Sequence, residues 1–213
     1  MTTHPPRSAA DYLPSEEPYT LPVLSRAAAR CRGCDLYRGA TQTVFGEGPA
    51  DARLMLVGEG PGETEDRQGR PFVGRAGALL TRVLQEVGVE RERVYITNVV
   101  KHFPHEGERG RRRPRKPRVG EVRACLPWLE AELALVRPMV LVCLGATAAQ
   151  AILGRDFRLT QQRGQMIATD WAPWTMATLH PAALLRMPPD RKDEALAQFK
   201  TDLTRAAQQA REG

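Results

Sequence analysis

Four short apolar runs, spaced so that a helical stretch fits between them, constrain this chain more than any other feature. They are residues 53–58 (RLMLVG), 94–98 (VYITN), 139–144 (MVLVCL) and 175–179 (TMATL). Runs this continuously apolar or β-branched suit strands buried on both faces, as in a parallel sheet covered on each side. Between them, residues 75–87 carry Leu79, Leu80, Val83, Leu84 and Val87 at helical spacing. Residues 119–136 read as an amphipathic helix, 145–153 as a short Ala-rich helix, 190–209 as a final helix, and 21–30 as a short helix leading into two cysteines. The alternation predicts an α/β fold. Residues 1–20 read as a loose, extended arm ahead of a single domain at 21–213. Residues 59–74 and 101–117, punctuated by Gly and Pro, read as loops.

In parallel sheets of this kind, ligands bind beyond the carboxyl ends of the strands. The residues to weigh are therefore Glu59, Asn98, the turn at Gly145, and His180. The loop after the first strand, GEGPGETEDRQGRPFVG, has a G-x-G-x-G spacing at Gly58, Gly60 and Gly62. A dinucleotide reading fails there, because Glu59, Glu63, Glu65 and Asp66 would repel a pyrophosphate and Pro61 interrupts the loop. The loop suits a neutral ligand approached closely by backbone, with Phe72 offering a flat face. An amide at Asn98 offers a donor and an acceptor side by side, the complement of a uracil edge and a mismatch for cytosine. His180, held by Pro181, can donate to a developing negative charge. Leu184 and Arg186 resemble an apolar wedge beside a cation, a tool for extruding a base from a duplex. Each of these residues also has a plain structural reading as turn, cap or core.

The chain has 31 basic and 25 acidic residues among 213, a net charge of +6. The excess is clustered. Arg109, Arg111, Arg112, Arg113, Arg115, Lys116 and Arg118 fall in one short segment, as expected of phosphate contacts. No apolar run is long enough to span a bilayer and no secretory h-region opens the sequence, so a cytoplasmic protein is expected. In a reducing compartment four cysteines argue for metal before disulfides. Cys31 and Cys34 form C-x-x-C, and Cys125 is a distant third ligand. His102 is the best fourth, with His105 second. Cys143, inside an apolar strand, reads as an inert thiol. Three cysteines and a histidine suit either zinc or a [4Fe–4S] cluster.

Six segments in order, CRGCDLYRGA, GEGPGETED with GRPFVGRAGALL, YITNVVKH, RACLPWLEAEL, LVCLGATAAQAILG and TLHPAALLR, resemble the iron–sulfur uracil-DNA glycosylases, family four and its relative UdgX. The resemblance implies a three-layer α/β/α sandwich around a four-stranded parallel sheet, a [4Fe–4S] cofactor, and excision of uracil from single- or double-stranded DNA by a monomer. It implies that Phe72 stacks on the everted base, Asn98 reads its edge, and His180 is catalytic. It places Glu65 near uracil C5, and Glu59 and Gly60 where base O2 and the attacking water are handled. The chain departs from family four at His102, where that family has cysteine and UdgX has histidine. UdgX carries a K-R-R-I-H run whose histidine bonds to the deoxyribose. The matching run here is Arg111-Arg112-Arg113-Pro114-Arg115, with arginine in the trapping position. A hydrolytic glycosylase without covalent trapping is expected. A non-catalytic uracil-DNA binder and a zinc-stabilised nucleic-acid-binding module stand as alternatives.

Overall fold

The computed structural model describes residues 8–15, 18–107 and 111–212. In chain order it contains α1 (Leu21–Ala28), β1 (Leu54–Gly58), α2 (Glu63–Gln68), α3 (Arg75–Glu86), β2 (Val94–Asn98), β3 (His105–Glu106), β4 (Arg113–Pro114) and α4 (Val119–Val136). There follow β5 (Val140–Leu144), α5 (Ala146–Leu153), α6 (Leu159–Gln162), β6 (Trp174–Thr178), α7 (Pro181–Arg186) and α8 (Pro189–Glu212). Four strands form one parallel sheet in the order β2-β1-β5-β6. β3 and β4 form a separate antiparallel ribbon.

The alternation of strand side chains builds three layers. Leu54, Leu56, Ile96, Val142 and Met176 face one way, onto the apolar sides of α3, α7 and α8. Met55, Val57, Tyr95, Leu141, Cys143 and Ala177 face the other way, onto α4 and α5. A third cluster gathers α1, Ala9, Phe45, Trp128 and Cys31 with Cys125. The layered sandwich expected from the resemblance is the fold observed.

Two local expectations change, and a segment given no element from sequence takes one. The segment after β1 is not all loop, because α2 forms there. Its sequence, ETEDRQ, lacks apolar periodicity, yet Glu65 and Asp66 turn inward and are buried. The segment after β6 closes into α7, with Pro181 at its first position, where a missing N–H costs nothing. The N-terminal arm is not loose where it is described. Ala9 is fully buried, and a Cβ on Gly33 would lie 2.6 Å from the Ser8 backbone. Residues 1–7, 16–17, and Arg109 in the basic loop lie outside the described residues.

Candidate active site

Chain order reverses between β1 and β5: the chain leaves β1 toward β2 and later returns to β1's other side. Such a switch point opens a crevice at the carboxyl ends of the strands. A cavity of about 590 Å³ lies there. Its walls include Glu59, Gly60, Glu65, Phe72, Asn98 and His180, so the structure brings all six predicted pocket residues together. A larger cavity, of about 820 Å³, sits at the opposite end of β1 and β2 and carries none of them.

The register of β1 and β2 sets Gly58 beside Asn98. Gly58 is small for a reason: a Cβ there would fall on Asn98 Oδ1 and 2.6 Å from Phe72 Cζ. Asn98 is only 2 % exposed, and its Oδ1 is buried with no hydrogen-bond partner. A buried acceptor left unpaired costs about 1–3 kcal/mol. Phe72 stands at φ 53°, the left-handed region, unusual for any residue but glycine. Arg91 donates to the Pro71 carbonyl at 3.0 Å, and the Gly74 N–H donates to Glu65 at 2.8 Å, pinning both sides of Phe72. Gly77 admits the Phe72 carbonyl where a side chain would clash.

His180 caps α7, and its Nδ1 accepts the Ala182 N–H at 3.1 Å. An accepting Nδ1 carries no proton, so the proton sits on Nε2. Burial, and then Arg186, pushes this imidazole down to about 4, leaving it neutral at neutral pH. Its ring lies 5.8 Å from that of Phe72, tilted by 32°. Glu59 accepts a hydrogen bond from the Thr147 hydroxyl on α5. Thr147 was not among the residues singled out from sequence, and no local pattern marks it.

Cys31, Cys34 and Cys125 share the third cluster, with Cys31 and Cys125 buried. Burial, with the neighbouring thiols adding to it, pushes Cys34 up to about 11 and Cys125 up to about 12. Thiolates in such a place need a cationic partner. Cys125 Sγ accepts the Lys101 N–H at 3.3 Å. His102 is buried, which pushes it down to about 4 despite Asp66. The Thr43 hydroxyl donates to the Ala28 carbonyl at 2.9 Å and lies 3.0 Å from His102 Nε2. With the hydroxyl proton committed, Nε2–H must donate to Thr43, leaving the Nδ1 lone pair free to ligate. Among the described residues, no three His, Cys, Asp or Glu side chains close round one point as ligands of a single ion do. His105 packs its ring on Phe103 at 5.2 Å. Cys143 is fully buried in β5, as expected of an inert thiol.

The basic loop divides in two. Arg111, Arg113 and Lys116 are exposed, and Lys116 and the exposed Arg186 line the cavity. Arg112 is not a free cation. It pairs with the fully buried Asp66 at 2.6 Å and lies over the Phe103 ring. Nor is Arg115, whose guanidinium makes two bonds to Glu121 of α4, at 2.6 and 2.8 Å. Leu184 is fully buried in the core beneath α7, so it is not an available wedge. These three expected DNA contacts are instead internal ties.

Residues 45–204 match the model of the uracil DNA glycosylase superfamily. The chain is 44% identical to the type-4 uracil-DNA glycosylase of Thermotoga maritima, over 77% of this chain and 82% of that one. It is 38% identical to that of Sulfurisphaera tokodaii, over 81% of this chain and 79% of the relative. The crystal structure of wild-type Pedobacter heparinus SMUG2 superposes with a TM-score of 0.55 at 12% identity, over 74% of this chain and 77% of that one, a likeness of fold. By family match and by kinship across most of its length, the chain belongs to the uracil-DNA glycosylase superfamily.

Proposed function

We infer that the chain is a uracil-DNA glycosylase, hydrolysing the N-glycosidic bond of deoxyuridine in base excision repair. One observation carries the reading. A buried, unpartnered acceptor at Asn98 lines a cavity walled by an aromatic ring and a neutral imidazole. Uracil N3–H answers that acceptor, and O4 answers the amide's donors. Cytosine presents an unprotonated N3 and an amino group instead. Two mismatches at about 1–3 kcal/mol each reject it by roughly a hundredfold or more. Kinship with the type-4 uracil-DNA glycosylases of Thermotoga maritima and Sulfurisphaera tokodaii supports the same substrate.

The base leaves the stack first, at a cost of a few kcal/mol, and Phe72 receives its face. As the bond to N1 breaks, negative charge grows on uracil O2. His180 Nε2–H donates there, a contact worth about 3–4 kcal/mol of barrier. Of the two carboxylates, Glu65 is committed to the loop through Gly74 N–H. Glu59 has one oxygen held by Thr147 and a second with which to orient water near the sugar cation. Arg111, Arg113, Lys116 and Arg186 supply phosphate contacts on single- or double-stranded DNA.

Cys31, Cys34, Cys125 and His102 would hold a [4Fe–4S] cluster, the cofactor that the resemblance to the iron–sulfur glycosylases favours over zinc. Held by these residues, such a cluster would supply a structural tie among the N-terminal segment, the loop after β2 and α4. The unpaired cysteines support a reducing, cytoplasmic setting, and no helix among the described residues is long and apolar enough to cross a membrane.

Arg115 stands where UdgX has its trapping histidine, and Glu121 holds it, so turnover proceeds without a covalent adduct. The test is to mix a small amount of protein with an excess of uracil-containing single-stranded DNA. Free uracil should exceed the protein many times over, and a denaturing gel should show no retarded band. Absence of release identifies a binder and overturns the reading. A stable shifted band overturns the hydrolytic part.

A further inference from the structure

Lys101 and Glu132 form an ion pair that solvent does not reach and that the glycosylase chemistry does not use. Their side chains are 1% and 0% exposed, with Nζ 2.5 Å from Oε2. Nζ also donates to Thr97 Oγ1 at 2.6 Å and to the Asn98 carbonyl at 2.7 Å. All three ammonium protons are therefore committed. Glu132 receives the Gly46 N–H and the Tyr95 hydroxyl, each at 3.0 Å, and the Thr97 hydroxyl at 3.0 and 3.1 Å to its two oxygens.

Stability alone does not explain the arrangement. An apolar pair of similar volume is often as stable as a buried ion pair, or more so. What the pair does have is an address. Tyr95, Thr97 and Asn98 are the last residues of β2, and Asn98 is the base reader whose side chain stays open to a ligand. Lys101 grips its main chain where the strand leaves the sheet. The Lys101 N–H reaches Cys125 Sγ, and Glu132 lies two turns further along α4. The pair thus joins the cysteine-bearing lobe to the reading edge.

We propose that Lys101 and Glu132 are positioning residues for Asn98, setting uracil recognition although neither touches the base. The proposal rests on the glycosylase reading above. Its test is the double variant Lys101→Met with Glu132→Leu. Uracil excision, inhibition by free uracil, affinity for uracil-free DNA, and thermal unfolding are each compared with the wild type. The variant should stay folded and bind uracil-free DNA normally. Its kcat/KM should fall about tenfold or more, with free-uracil inhibition weakened in parallel. Wild-type kcat/KM and wild-type uracil inhibition in a folded double variant would overturn the proposal. An inactive wild-type protein would instead overturn the function itself. If the double variant does not fold, Thr97→Val removes the hydroxyl between ammonium and carboxylate while keeping a good strand residue. A loss of about threefold or more in the same two readouts is expected, and no change refutes the role.

Discussion

Adding a single methyl group at Gly58 should disable the pocket without removing any functional group. A Cβ at that position lies 2.6 Å from Phe72 Cζ and 2.9 Å from Cε2, and it falls on Asn98 Oδ1. Ordinary contact begins near 3.4 Å. From 2.6 to 3.4 Å is a displacement of about 0.8 Å, to be shared between the ring and the amide. Gly58 itself ends the central strand β1, paired with Asn98 of β2 and one residue beyond Val57, which pairs with β5, so it cannot retreat far. Misplacing reacting groups by about 1 Å costs roughly a hundredfold in rate, so Gly58→Ala should lose about 30-fold or more in kcat/KM. Overpacking of this kind costs about 1–3 kcal/mol of stability, or about 2–12 °C in Tm for a chain of this size. Gly120→Ala is the control, since a Cβ there meets nothing within 4 Å. It should be neutral or slightly stabilising, by up to about 1 kcal/mol. Steady-state excision on a uracil oligonucleotide and a thermal melt measure both effects. A folded Gly58→Ala protein within threefold of wild-type kcat/KM would mean that the amide and ring are not held against each other during catalysis.

Other substitutions separate the roles assigned above. His180→Ala should lose about 10²–10³ in kcat while leaving the visible absorbance of the proposed iron–sulfur cluster unchanged. Protonation of His180 would put a proton on the nitrogen that accepts the Ala182 N–H, and the fold holds the group near 4. Wild-type kcat/KM should therefore stay flat down to about pH 5 and fall as pH approaches 4, and a midpoint at the ordinary histidine value of about 6.5 would refute this. Lys116→Ala with Arg186→Ala should reduce the salt slope of single-strand binding by about 1.4, or 0.7 per lost phosphate contact. Arg112→Ala should leave that slope unchanged but destabilise by about 3–5 kcal/mol, because it strands Asp66 in the core. A normal melt with a reduced slope would restore Arg112 to the DNA surface.

How legible the molecule was depends on which forces fixed each part. The four sheet strands could be read because both faces of each are buried, which leaves an unbroken apolar run. The long helix α4 was read to its observed bounds, Val119–Val136. The helix α2 was hidden because inward-turned carboxylates hold it, with Asp66 taking the Thr41 N–H at 2.8 Å and Arg112 at 2.6 Å. Those bonds depend on residues far away in the chain. Glu59 and His180 were legible because they follow strands, and Asn98 because it ends one; the sheet edge gathers such residues, and Phe72 stood out as the aromatic ring of the Gly-rich loop beyond β1. Thr147, Thr43 and the Lys101–Glu132 pair were not, since their meaning lies in partners contributed by other layers. The arginine run misled for a related reason. Composition counts every cation alike, but Glu121 and Asp66 had already claimed two of them.

The left-handed backbone at Phe72 also limits how the enzyme can be re-engineered. A β-branched residue is effectively barred there, because its side chain would collide with its own peptide group. Glycine would relax the main chain yet remove the ring proposed to stack on the base. Attempts to retune the pocket toward other rings thus have a short menu at this position: aromatic replacements that inherit the same twist, or asparagine and histidine, which tolerate it best.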